Sequence, residues 1–172
     1  MIGIWIEHIR HPRAALGMLA MLTPLAFAVG VARAQDSPPA YSEYRADVIV
    51  GRGTTTQLGL GAVIPGGVYA RMSVDGAAGT TWRDGGTHTS GRVDIVARFL
   101  LDPFREAPVG LSFGAGVSVP YVAGDSHVRP YLTFVTDIEG RRRGGFTPAL
   151  QLGLGGGARV GVVLRRSVSR WR

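Results

Sequence analysis

The chain has 172 residues, enough for one domain and little more. It holds no cysteine, which excludes a disulfide framework, a thiolate metal site and a cysteine nucleophile. All 19 basic residues are arginine, the net charge is +7, and the 26 glycines follow no collagen period. Such a charge admits nucleic acid, anionic lipid or lipopolysaccharide as partners.

The first segment is a leader. Residues 1–13, MIGIWIEHIRHPR, end in positive charge, and residues 14–32 form an apolar run broken only by Thr23 and Pro24. Ala32-Arg33-Ala34 then precedes Gln35. A basic stretch, an apolar stretch and an A-x-A site predict a secretory signal peptide cleaved before Gln35. The alternative is a retained membrane anchor of marginal length. Residues 35–42, QDSPPAYS, read as a short polar linker, and 43–172 as one domain.

Eight stretches alternate with a period of two, the signature of strands with unlike faces. They are 44–52, 55–63, 67–75, 91–101, 109–119, 128–138, 146–154 and 158–168. Turn signals separate them: IPGG at 64–67, DPFREAP at 102–108, AGDS at 123–126, GRRRGG at 140–145 and GGG at 155–157. Residues 76–90, GAAGTTWRDGGTHTS, read as the one long loop. The clearest strand is VGLSFGAGVSVP, 109–120. Val109, Leu111, Phe113, Ala115, Val117 and Val119 share one face, and only Gly and Ser stand between them. Glycine weakens a strand, so three on one face imply a place where larger side chains do not fit.

The other stretches sort the same way. One face carries Val48, Leu58, Leu60, Met72, Ile95, Phe99, Leu132, Phe134, Leu152, Val160 and Val162. The second carries Arg45, Asp47, Arg71, Asp75, Arg92, Asp94, Arg98, Arg129, Arg159 and Arg165, with Gln57, Asp137, Gln151 and several glycines. A soluble barrel puts the apolar face inside; an outer-membrane barrel puts it against lipid and fills the lumen with the polar face. Glycines crowded on the polar face, recurring Arg and Asp, and aromatics near strand ends (Tyr44, Phe99, Phe104, Tyr121, Phe146, Trp171) favour the second. The strands are also 9–11 residues long, the span of a tilted membrane strand. An even number of strands closes the sheet and removes its edges.

On strand length and alternation, residues 43–172 resemble small outer-membrane β-barrels of the OmpA/OmpX type. That resemblance implies an all-β, eight-stranded antiparallel up-and-down barrel in the outer membrane of a Gram-negative-type envelope. It also implies recognition by the β-barrel assembly machinery, although Trp171 is penultimate here where such chains end in an aromatic residue. The expected protein is a monomer with no cofactor and no bound metal, in contact with outer-membrane lipid and not with nucleic acid. Its role is structural or surface-interacting, without enzymatic activity. Arg45, Asp47, Arg71, Asp75, Arg92, Asp94, Arg98, Arg129 and Arg159 are expected to neutralise one another in a narrow, plugged lumen.

Arg141, Arg142 and Arg143, the densest charge run, read either as a solvated turn or as a periplasmic basic rim. Arg170 and Arg172 join that rim, with Arg105, Arg165 and Arg166, and it would face anionic headgroups. Two other constellations carry weaker chemistry. His88-Thr89-Ser90 resembles the His-x-Ser pair of lipid A deacylases on small barrels, with Asp84, Asp94 or Asp102 as the orienting acid. His88, His127 and Asp125 lack metal-ligand spacing. GLGGGARVG at 153–161 reads as a tight hairpin, because a strand and no helix follows it.

Overall fold

Side chains of unlike character on the two faces of every strand force the sheet to hide one face from water. The computed structural model, which describes residues 40–104 and 106–167, does so by closing the sheet on itself. The eight strands are β1 Tyr41–Val50, β2 Thr54–Pro65, β3 Ala70–Arg83, β4 Gly86–Leu100, β5 Gly110–Val122, β6 Tyr131–Glu139, β7 Phe146–Leu154 and β8 Ala158–Ser167. Each pairs antiparallel with its sequence neighbours, and β8 pairs with β1. The order is an up-and-down barrel without free edges. The leader and its expected cleavage site, Ala32, Ala34 and Gln35, lie outside the described residues, as do Arg105, Arg170, Trp171 and Arg172.

Strand positions follow the alternation, except at β1, along β3 and β4, and at β6, which begins only at Tyr131. Tyr41 and Ser42 belong to β1, so the barrel starts inside the stretch read as a linker. Residues 76–90 are not a loop. β3 and β4 run on through them as one paired hairpin, with Gly76 opposite Val93 and Trp82 opposite Thr87. The turn is the two residues Asp84 and Gly85, with φ of 52° and 73°. Positive φ at both centres matches the right-handed twist of the flanking strands, and Asp-Gly is the sequence that tolerates it.

The faces are oriented as a membrane barrel requires and a soluble one does not. Leu58, Leu60, Leu132, Leu154, Val160 and Val162 point outward and are exposed. Inside lie Arg, Asp, Glu, Gln, Ser and Thr, with Val63, Val96, Leu100, Val135, Ala149 and Val163 filling gaps between them. Charge, and not apolar surface, dominates the interior. Aromatic residues mark both ends of the apolar band. Tyr69 stacks on Phe99 at 5.9 Å between ring centres and meets Phe104 edge-on at 6.4 Å. Phe113 pairs opposite Phe99 on β5. Tyr121 and Trp82 lie toward the other end.

Glycine makes room inside. A Cβ on Gly114 would meet the Arg98 Cγ at 2.8 Å and the Val135 Cγ2 at 3.0 Å. One on Gly61 would collide with the Asp75 carboxylate. The small inner face of 109–120 therefore leaves room at Gly114 for the Arg98 stem of the neighbouring strand.

Candidate functional site

Buried charge needs partners, because removing an ion from water costs several kcal/mol after relaxation. The lumen supplies them in register. Glu43, Asp47, Asp75, Asp94, Asp137 and Glu139 face Arg45, Arg92, Arg98, Arg159 and Arg165, all buried, and the nearly buried Arg71. Among the described residues the two signs thus balance inside the barrel.

Arg45 on β1 is the hub. Its Nε donates to Asp47 at 2.9 Å, and its Nη1 lies 3.2 Å from Asp75, 3.7 Å from Asp94 and 3.8 Å from Glu43. Its Nη2 donates to the Gln151 side chain on β7, two strands away across the closing seam. Above the hub, Arg92 donates to Asp47 and places its Nε 3.0 Å from Asp94. Asp94 also accepts from Arg159 at 2.7 Å and from the Ser118 hydroxyl at 2.6 Å. Below it, Arg98 reaches Asp137 at 3.0 Å and donates to Ser73. Arg165 donates to Glu43 at 2.9 Å, Asp137 at 2.6 Å and Glu139 at 2.7 Å, and Arg71 donates to Glu139 at 2.8 Å. Guanidinium groups suit this work, since one planar fork holds several carboxylates in fixed directions.

The structure thus gathers Arg45, Asp47, Arg71, Asp75, Arg92, Asp94, Arg98 and Arg159 into one interior. Arg129 is the exception: it stands in the exposed 123–130 connection, because β6 begins only at Tyr131. Arg165 is buried in the lumen rather than placed on the basic rim. Its neighbour Arg166 points outward, over the Phe146 ring at 5.5 Å. Arg141, Arg142 and Arg143 are exposed on the 140–145 turn, at the end where the chain enters β1 and leaves β8. Glu43, Glu139, Ser73 and Ser118 complete the network without having been singled out by sequence.

His88 and Ser90 lie on strand β4, two residues apart on its inner face, and not in a loop. Ser90 Oγ accepts from Gln57 Nε2 at 3.3 Å. Of the acids considered, Asp94 is held by Arg92, Arg159 and Ser118, and Asp84 sits at the exposed hairpin tip. Asp102 lies beyond the other end of β4, where it caps the backbone N–H groups of Glu106 and Ala107 at 3.1 and 2.8 Å. A nucleophile that faces the lumen does not meet acyl chains outside the wall. His127 shares a 2.7 Å hydrogen bond with Ser126.

At the end formed by connections 51–53, 84–85, 123–130 and 155–157, the lumen opens into a cavity of about 420 Å³. Its floor includes Gln57, Ser90 and Arg92, and its rim Arg52, Arg83, Asp125 and Arg129. Arg83 donates to both carboxylate oxygens of Asp125, at 2.7 and 3.2 Å. Those hydrogen bonds hold the Asp125 carboxyl below the usual aspartate range.

No protein-family model matches the chain, and no curated protein matches it in sequence. Solved structures do match in fold. The N-terminal β-barrel domain of Pseudomonas aeruginosa OprF aligns with a TM-score of 0.54 at 9% identity, over 76% of this chain and 99% of that one. Neisserial surface protein A aligns with a TM-score of 0.54 at 12% identity, over 75% and 96%. A de novo designed transmembrane β-barrel aligns with a TM-score of 0.53 at 13% identity, over 78% and 98%. The chain shares the fold of small eight-stranded membrane barrels.

Proposed function

We propose that the protein is an integral outer-membrane β-barrel with a structural or surface-interaction role, that it conducts no ions, and that it catalyses no reaction. The observation that carries this reading is the pairing of an apolar outer band with an interior filled by interlocked arginines and carboxylates. Lipid would satisfy the band, and the carboxylates and Gln151 gathered around Arg45 support a lumen closed to ions. Similarity in fold to OprF and Neisserial surface protein A supports the membrane assignment. Lipid of the outer membrane is the proposed environment, the β-barrel assembly machinery the proposed partner in biogenesis, and the monomer the proposed state. The exposed Arg141–Arg143 turn would then face the anionic headgroups of the periplasmic leaflet.

Two experiments test this. Membrane fractionation should recover the protein from the outer membrane, with heat-dependent mobility in detergent gels. The refolded barrel in a planar lipid bilayer should show no current steps, whereas opening the hub by Arg45→Ala with Arg98→Ala should produce them. Steady conductance by the unaltered barrel contradicts the closed lumen, and recovery in the soluble periplasmic fraction contradicts the membrane.

A further inference from the structure

We propose that the open mouth of the barrel is a binding site for a phosphate-bearing ligand. The site is built from two exposed guanidinium groups, those of Arg52 and Arg129. Arg52 stands on the 51–53 turn and Arg129 on the 123–130 connection, so they approach from different sides of the barrel, and both line the same cavity. Among the described residues neither makes an ion pair or a side-chain hydrogen bond. The acid that lines the cavity with them, Asp125, is occupied by Arg83 through both its oxygens.

The contrast with the interior is what makes this a site. Inside, every arginine is matched by carboxylates; at the mouth, Arg52 and Arg129 are left in excess over a concave surface. The floor holds a further guanidinium, paired with Asp47 and Asp94. Arg92 is buried beneath the mouth, and its Nη1 has no hydrogen-bond partner. Guanidinium forks from two directions suit a phosphate, whose several oxygens accept in-plane pairs from both. A carboxylate offers one plane and one charge. The cavity, at about 420 Å³, holds more than the phosphate alone. Tyr131 supplies a ring face, and Ser90 and Gln57 supply polar groups, for what the phosphate is attached to. A sugar phosphate has that combination. It can come from a phosphorylated glycolipid of the surrounding leaflet or from a soluble solute. The site goes beyond the structural role proposed above. It rests on that reading only for the mouth facing outward from the cell.

The test uses the full barrel refolded in detergent, with heat-dependent mobility as the check on folding. Calorimetric titration with glucose 6-phosphate probes the soluble source, and titration with lipopolysaccharide the glycolipid. Saturable binding of either supports the proposal, provided that Arg52→Gln with Arg129→Gln weakens it by about tenfold or more. Arg141→Gln with Arg142→Gln, at the opposite end, should leave it unchanged. Both residues of the first pair are exposed, so the variant should fold. No saturable binding of either probe overturns the proposal. So does binding that survives Arg52→Gln with Arg129→Gln, or that falls equally in the Arg141/Arg142 variant. Binding by a barrel that also conducts would sink the closed-lumen reading and leave this one standing.

Discussion

Arg165 on the last strand sits directly opposite Glu43 on the first, and donates to its carboxylate at 2.9 Å across the seam where the barrel closes. Both side chains are buried. The same guanidinium also holds Asp137 and Glu139 from β6. The contact that joins the two ends of the sheet is therefore tied to β6, two strands further round the barrel.

Arg165→Met leaves three carboxylates short of a partner and should destabilise the barrel by about 3–5 kcal/mol. Glu43→Leu should cost less, because Arg165 keeps Asp137 and Glu139. The double variant should fall short of the sum of the two. Urea unfolding in detergent, followed by tryptophan fluorescence, measures all three. Additive losses would mean that the seam pair is not coupled.

The strand 109–120 separates the two faces by one residue. Gly114→Leu drives a side chain into the Arg98 stem and should cost roughly 1–3 kcal/mol. Val117→Leu faces outward and should be nearly neutral, since fluid lipid accommodates the volume. Val117→Arg should cost roughly 2–4 kcal/mol near the bilayer midplane. The same unfolding experiment ranks them, and a harmless Gly114→Leu beside a damaging Val117→Leu would turn the barrel inside out.

The β3–β4 hairpin depends on positive φ at its tip. Gly85→Val should cost roughly 1–2 kcal/mol through the left-handed backbone, while Asp84→Gly should be close to neutral. Equal effects would show that the turn is not held in this conformation.

Asp125 carries a depressed carboxyl pKa, caused first by the Arg83 hydrogen bonds. A depressed folded value means that the pairing contributes above the unfolded pKa and is lost as pH falls through the folded one. The 123–130 connection should therefore stay docked on Arg83 at neutral and mildly acidic pH, and release only below the ordinary aspartate range. Carboxyl chemical shifts of Asp125 followed by NMR should show this, and Arg83→Gln should return the titration to the ordinary range. An unchanged midpoint in that variant would remove Arg83 as the cause.

Much of this was legible because lipid and lumen impose opposite demands on alternate residues. From Val109 to Val119 the period alone separates the faces. What escaped did so for local reasons. Residues 76–90 have no apolar alternation, since the outward positions of the hairpin include Gly76, Ala78, Thr80 and Thr89. Thr is nonetheless a good strand former and Asp84-Gly85 a strong hairpin turn, so a propensity reading would have found it. Glu43 and Glu139 sit just outside or at the ends of the alternating runs, where one polar residue looks like a loop. Arg165 and Arg166 are adjacent and chemically identical; only parity, counted from Arg159, sends one inside and the other out. Arg129 was misplaced by the reverse error, because alternation was extended past the start of β6. Partners on non-adjacent strands, such as Arg45 and Gln151, are set by barrel closure, which no single strand encodes.

The central claim is that the apolar face meets lipid while the charged face is enclosed. The chain has no cysteine, so single nitroxide labels can be attached after Leu58→Cys, Val117→Cys, Leu132→Cys or Val160→Cys, with Ser126→Cys as the aqueous reference. In the barrel reconstituted in lipid bilayers, oxygen and a water-soluble nickel chelate then report what each label touches. At the four outward strand positions the account predicts strong collision with oxygen and almost none with nickel, and the reverse at Ser126. Nickel accessibility at Leu58, Val117, Leu132 and Val160 equal to that at Ser126 would contradict it.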